Sequence, residues 1–166
     1  MAGDAPFLME LALFKDFSAS ELEQMSAALE EVDHEPGHLL FKEGAWAASM
    51  YLVVSGAIEI FKPLPDGKEV IFTTLTSGAC LGEMALVRDM YRTGSARAKV
   101  RTRLLVLKKE RLAKLESSSP AVAARLYRNI SAILADRIDQ LNRDLQRARE
   151  TQQSAESKGL FGKLFG

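Results

Sequence analysis

Between Ser49 and Leu75 the chain reads "SMYLVVSGAIEIFKPLPDGKEVIFTTL", and this stretch limits the fold more than any other. Runs rich in β-branched and aromatic residues, with partial alternation, are separated by turn signals at Ser55-Gly56 and Asp66-Gly67. Such runs predict strands that bury one face. Asp-Gly between two of them is a strong hairpin signal, with Val70 to Leu75 as the returning strand. Further on, "AKVRTRLLVLKKERLAKL" predicts a strand that runs into a helix. Several short strands with regular turns make an antiparallel β-roll or jelly-roll barrel the expected core.

Helices flank this core. Phe7, Leu8, Leu11 and Phe14 fall at helical intervals and predict a short amphipathic helix. "SASELEQMSAALEEV" predicts a second, with Ser18 or Ser20 as N-cap and Leu22, Met25 and Leu29 on one face. Pro36-Gly37 ends the helical pattern. Ser119 can cap a long C-terminal helix whose first residue is Pro120, and nothing breaks it until about Gly159. The fold class is therefore α+β: N-terminal helices, the β-roll, a short helix within it, and the long C-terminal helix. Residues 1–150 form one domain that includes this helix, and residues 151–166 form a flexible tail.

Leu134, Ile138, Leu141, Leu145 and Ala148 alternate steps of four and three, a heptad seam of about two repeats. Two readings stand: a helix laying one face on its own barrel, or a homodimer. The tail ends in "LFGKLFG", placing Leu160, Phe161, Leu164 and Phe165 where one helical face could gather them, while Gly159, Gly162 and Gly166 oppose a helix. It reads either as a plain flexible end or as a docking peptide at residues 158–166 for a downstream partner protein. Membrane contact ranks behind, because only Lys158 and Lys163 supply positive charge there.

Net charge is zero, so bulk electrostatics offer no reason to expect nucleic acid or an anionic membrane as partner. Locally the balance is uneven. The first 35 residues hold nine carboxylates against Lys15 alone, whereas the chain from Arg88 to Arg111 is basic and is the natural place for an anionic ligand. Arg97, Lys99, Arg101 and Arg103 alternate along a strand and read mostly as a solvated face. The single Cys80 permits no intrachain disulfide and fits a reducing cytoplasm. The N-terminus does not read as a signal peptide, and no run approaches the length of a membrane span. His34 and His38 are separated by Pro36-Gly37 with no third ligand in evidence, so no metal is expected. No catalytic constellation is visible, and a binding module is expected rather than an enzyme.

"CLGEMALVRDMYRTGSARA", residues 80–98, carries the chemistry. Gly82 permits a close turn, and a short helix near Glu83 to Leu86 would aim backbone N–H groups at an anion. Arg92 can add a two-pronged contact to phosphate. Glu83 would repel phosphate and suits a sugar hydroxyl. The arrangement fits a ribose-phosphate.

Taken in order, Pro36-Gly37, "LLFKEG", "YLVVSGAIEI", "DGKEV", "GEMAL" and "RTGSARA" resemble the cyclic nucleotide-binding domain over residues 7 to 145. The resemblance implies a phosphate cassette of Gly82, Glu83, Met84, Ala85 and Leu86. By it Glu83 binds the ribose 2′-hydroxyl, and Arg92 binds the cyclic phosphate with backbone N–H groups near Ala85. Thr93 touches phosphate or a guanine amino group, Phe72 and Thr73 line the base pocket, and the helix after Pro120 is the lid. The implied ligand is cAMP in preference to cGMP, with no further cofactor. The sensor changes what its helix 120–150 and tail present to a partner. The alternative is a scaffold of the same fold that binds no nucleotide and acts by dimerisation and tail docking. Direct DNA binding is not expected, because only a short tail follows the long helix. Gly94, where the family usually has alanine, and Trp46, in a loop where small or polar residues are common, depart from the pattern.

Overall fold

A computed structural model describes the backbone of residues 5–165 and the side chains of residues 6–151. Two compact units result, Met1–Asn129 and Ile130–Gly166. In the first, helix α1 (Ala5–Met9) and a 3₁₀ turn (Ala12–Phe14) lead into α2 (Ala19–Ala28). Eight strands follow: β1 (Glu30–His34), β2 (Leu39–Phe41), β3 (Ser49–Ser55), β4 (Ala57–Pro63), β5 (Glu69–Thr76), β6 (Cys80–Leu81), β7 (Ser95–Ala98) and β8 (Thr102–Lys108). A one-turn helix, α3 (Met84–Val87), lies between β6 and β7, and α4 (Lys109–Ser118) follows β8.

The strands form two antiparallel sheets, ordered β1-β8-β3-β6 and β2-β7-β4-β5, as the expected β-roll requires. Their inner faces meet in a core of Val53, Ile58, Leu81, Ala96, Ala98, Leu104 and Val106. Asp66-Gly67 does close a hairpin, between β4 and β5. Leu64 and Lys68 pair across it at 2.7 Å, and Gly67 takes the left-handed conformation. Ser55-Gly56 turns the chain from one sheet to the other. A Cβ on Gly56 (φ 90°) would lie 2.5 Å from the Arg101 carbonyl and from Thr102 Oγ1. Buried Thr102 staples this corner: its Oγ1 accepts the Ala57 N–H at 3.1 Å and donates to the Val100 carbonyl at 2.8 Å.

Two expectations about the N-terminal region need correction. The single helix expected over Phe7 to Phe14 is split, because Leu11 is extended (φ −88°, ψ 136°) and redirects Leu13 and Phe14 into the core. The second helix stops at Ala28, and Glu30–His34 is a strand. Ser18, and not Ser20, caps that helix, in a capping box with Glu21. Strand β1 is held by cross-strand ion pairs to β8, Glu31 with Arg103 at 3.3 Å and Glu30 with Lys108 at 2.8 Å. The acidic opening and the basic middle of the chain are thus partners in one sheet.

Helix α5 runs Pro120–Phe165. Its first turns belong to the first unit and are fastened to the N-terminal segment. Arg125 bonds the Glu21 carboxylate at 3.1 Å and the Asp16 carbonyl at 2.6 Å, and buried Asn129 donates to the carbonyls of Leu13 and Lys15. From Ile130 the helix makes up the second unit, where Ile138, Leu141 and Leu145 of the expected seam are exposed. The side chains of 152–166, on which the expected docking tail rests, lie outside the described residues. Among the described residues no helix is long and apolar enough to cross a membrane.

Candidate functional site

Strand pairing creates the site. The register Leu52↔Cys80 and Tyr51↔Leu81 carries the chain along β3 toward Ser49, where it turns sharply at Gly82. Gly82 has φ 77°, which a side chain resists, and a Cβ there would collide with Arg92 Nη1 and sit 3.0 Å from the Ser49 carbonyl. The missing side chain makes room for the arginine.

Arg92 arrives from a clasped loop. Its N–H donates to the Ala45 carbonyl at 2.8 Å, its carbonyl accepts from Gly44 at 2.9 Å, and Ala47 N–H donates to Met90 at 3.1 Å. Between them Trp46 and Tyr91 form an isolated bridge. Alternation along this segment leaves Tyr91 exposed and turns Arg92 inward, where it is 7% exposed. There Nη2 donates to the Ser49 carbonyl at 2.7 Å, and the guanidinium carbon lies 4.1 Å from the Phe41 ring centroid and 5.6 Å from that of Tyr51. Burial pushes the Arg92 pKa below its ordinary value, with Tyr51 and Glu83 opposing. Arg92 Nε is buried with no hydrogen-bond partner. A buried donor of this kind calls for an acceptor.

Glu83 is 2% exposed, immediately before α3. An acidic side chain rarely sits so deep on a surface turn. The same short stretch thus buries one carboxylate and one guanidinium. Of the other expected site residues, Ala85 is fully buried and its N–H donates to the Gly82 carbonyl at 3.1 Å, making it the turn's own bond. Met84 and Thr93 are exposed. Phe72 and Thr73 are exposed on β5. Register there passes from Ile60↔Thr73 to Phe61↔Ile71, so Phe72 is the extra residue of a β-bulge, a device that re-aims a side chain. Ser49, Phe41 and Tyr51, which hold Arg92, were not expected as site residues. Two of them lie inside stretches already singled out as motifs, "LLFKEG" and "YLVVSGAIEI".

The sequence profile of the cyclic nucleotide-binding domain matches residues 31–119. The chain belongs to the cyclic nucleotide-binding domain family. Among relatives, a CRP-like cAMP-activated global transcriptional regulator of Mycobacterium tuberculosis is 26% identical over 138 residues, covering 83% of this chain and 60% of the regulator. A cAMP-dependent protein kinase regulatory subunit of Yarrowia lipolytica is 32% identical over 104 residues, 63% of this chain and 27% of the subunit. The crystal structure of Thermus thermophilus catabolite activator protein superposes with a TM-score of 0.70 at 27% identity, covering 81% of this chain and 62% of that one. This chain therefore spans less than two thirds of the length of each of these relatives.

Three further features complete the folded domain. The basic run beyond it is largely consumed by ion pairs: Arg97 bridges Glu59 and Glu69 at 3.0 and 2.6 Å, and Lys99 reaches Glu59 at 3.2 Å. His34 and His38 stack face to face at 4.0 Å, and burial, with the His38 charge beside it, pushes the His34 pKa down. Trp46 is half exposed and meets Tyr91 edge-on at 5.3 Å, with Lys109 over its ring.

Gly94 is not in the left-handed region. A Cβ there would make ordinary contacts, 3.5 Å from the Phe61 carbonyl and 3.6 Å from Ile60 Cγ2. Gly94→Ala is accordingly expected to raise stability by about 0.4–1 kcal/mol through a less flexible unfolded chain. Denaturant titration of the two proteins measures this, and a destabilised variant would show that the loop needs a conformation alanine resists.

Proposed function

We propose that this chain is a sensor of a cyclic purine nucleotide, cAMP in preference to cGMP. The observation that carries the reading is the buried pair in one cassette, Glu83 and Arg92, with Arg92 Nε awaiting an acceptor. Preference for cAMP draws on the cAMP-related names of the relatives. The cyclic phosphate pairs with Arg92, and the ribose 2′-hydroxyl donates to Glu83. Phe72 and Thr73 face the base and Thr93 borders the phosphate. The task is binding and relay, not catalysis, in a cytoplasmic setting that suits a lone cysteine.

Ligand binding fixes the Arg92 loop and draws the helix after Pro120 over the base, which alters what α5 and the tail present to a partner protein. The path has a physical start in the first unit. Tyr127, on α5, donates to Glu116 of α4 at 2.5 Å and lies 3.5 Å from the Leu86 carbonyl of α3. Burial, together with Glu116, pushes the Tyr127 pKa up to about 12. A coupling of about 1–3 kcal/mol between nucleotide and partner would be ordinary.

The Glu83 role is tested with 2′-deoxy-cAMP. The unaltered protein should bind it roughly tenfold to 150-fold more weakly than cAMP, the worth of a hydrogen bond to a charged group. Glu83→Gln should shrink that ratio. Equal affinity for both nucleotides in the unaltered protein would remove Glu83 from the ribose.

A second reading is a scaffold of this fold that binds no nucleotide and acts by dimerisation and tail docking. It is favoured by the seam on α5, where Ile138 is 58%, Leu141 67% and Leu145 52% exposed. Sedimentation over a range of concentrations tests the scaffold. The scaffold needs a dimer, and a monomer at every concentration leaves α5 as a lid only.

A further inference from the structure

The Arg92 guanidinium carbon lies over the Phe41 ring, 4.1 Å from its centroid, and Nη2 is engaged by the Ser49 carbonyl. Nη1 lies against Gly82 and Nε has no partner. We propose that Phe41 is the positioning residue for Arg92, a flat aromatic platform that holds the guanidinium in the orientation from which Nε reaches a phosphate. The inference rests on the cyclic nucleotide reading for what the arginine finally binds.

Three physical arguments lead there. First, Arg92 is buried without a salt bridge at bonding distance among the described contacts, its hydrogen bonds going to the neutral Ser49 carbonyl and Ser49 Oγ. Glu83 and Tyr51 favour its charge without such a bridge, and the negative face of the Phe41 ring adds to this where water is excluded. Second, the ring restricts the guanidinium plane. A free arginine side chain has many rotamers to lose on binding, and a planar stack removes most of that loss before the ligand arrives. Third, the geometry divides the labour. Ser49 holds one edge from behind, Phe41 covers one face, and the missing side chain at Gly82 admits the other end, leaving Nε as the group to be satisfied. The Tyr51 ring is further off, at 5.6 Å, and stands against Phe41 at 5.7 Å, tilted by 35°, so it backs the platform while itself favouring the Arg92 charge.

A leucine at 41 would keep apolar bulk but present no aromatic face, whereas tyrosine would keep the face. The test therefore compares the unaltered protein with Phe41→Leu and Phe41→Tyr, with thermal melts to confirm folding. Proton NMR of the ligand-free proteins should show the Arg92 side-chain resonances shifted upfield by the ring. Phe41→Leu should lose that shift and Phe41→Tyr should keep it. Titration with cAMP should find Phe41→Leu weaker by about threefold to thirtyfold, the range of a desolvated cation–π contact. Phe41→Tyr should restore the affinity, which a merely space-filling role would not distinguish. Ordinary Arg92 resonances in the unaltered protein, or a Phe41→Leu variant that binds cAMP as well as its parent, would overturn the inference while leaving the nucleotide reading intact. Failure of the unaltered protein to bind any cyclic nucleotide would instead overturn that reading, and the positioning role with it.

Discussion

Arg92→Ala is expected to weaken cAMP binding by roughly tenfold to 150-fold while leaving the protein folded. The affinity loss is that of a hydrogen bond to a charged group, at a buried site where water screens little. The fold should survive for a reason specific to this side chain. Arg92 is desolvated, keeps one Nη group on the Ser49 carbonyl, and leaves Nε unsatisfied, so its removal relieves a buried polar cost that offsets the lost contact with Phe41 and the lost attraction to Glu83. Lysine at 92 should fall between the two, because a point charge can meet the phosphate but cannot bond it in two places or lie flat on a ring. Titration calorimetry paired with thermal melts separates the outcomes. Undiminished affinity in a folded Arg92→Ala protein would place the phosphate elsewhere.

Gly82→Ala should be the more damaging change, because it acts on stability and site together. The backbone at φ 77° disfavours any side chain by about 1–2 kcal/mol. The new Cβ would also need the space of Arg92 Nη1 and would press on the Ser49 carbonyl. Either the turn opens or the guanidinium leaves its platform. Nucleotide affinity should therefore fall at least as far as for Arg92→Ala, with a lowered unfolding midpoint in the absence of ligand. A variant with normal stability and affinity would show that the turn and the arginine are not coupled. Gly94, twelve positions on, is the internal contrast, since its surroundings accommodate a methyl group.

What could be read from the chain was what is local. Asp66-Gly67 announces its hairpin because a two-residue signal sits between the strands it joins. Ser119-Pro120 starts α5 where expected, and Glu83 with Arg92 could be picked out because both lie in one short stretch. Strand β1 was not legible. "EEVDH" has an acidic, helix-like composition, and it becomes a strand only against the cations of β8, some seventy residues later. Propensity yields to tertiary pairing there. The supports of Arg92 were hidden for the same reason. Phe41, Ser49 and Gly82 come from β2, β3 and the turn after β6, and only the folded sheets bring them to one guanidinium.

Charge patterning is too coarse a guide to which cations are available to a ligand. The basic region from Arg88 to Arg111 suggested a place for an anionic ligand, with Arg97 to Arg103 mostly a solvated face, yet Arg97, Lys99, Arg103, Lys108 and Lys109 are paired with carboxylates from other strands and loops. Exposed pairs of this kind contribute little to stability each, but together they neutralise the run. Positive charge within the site comes from Arg92, buried and without a carboxylate at salt-bridge distance among the described contacts.

Calorimetric titration of the purified chain with cAMP, then with cGMP, tests the central claim most directly. The account predicts saturable binding of cAMP at one site, tighter than that of cGMP and lost in Arg92→Ala. No heat and no thermal stabilisation with either nucleotide would contradict it, leaving a member of the cyclic nucleotide-binding domain family that uses the fold as a scaffold.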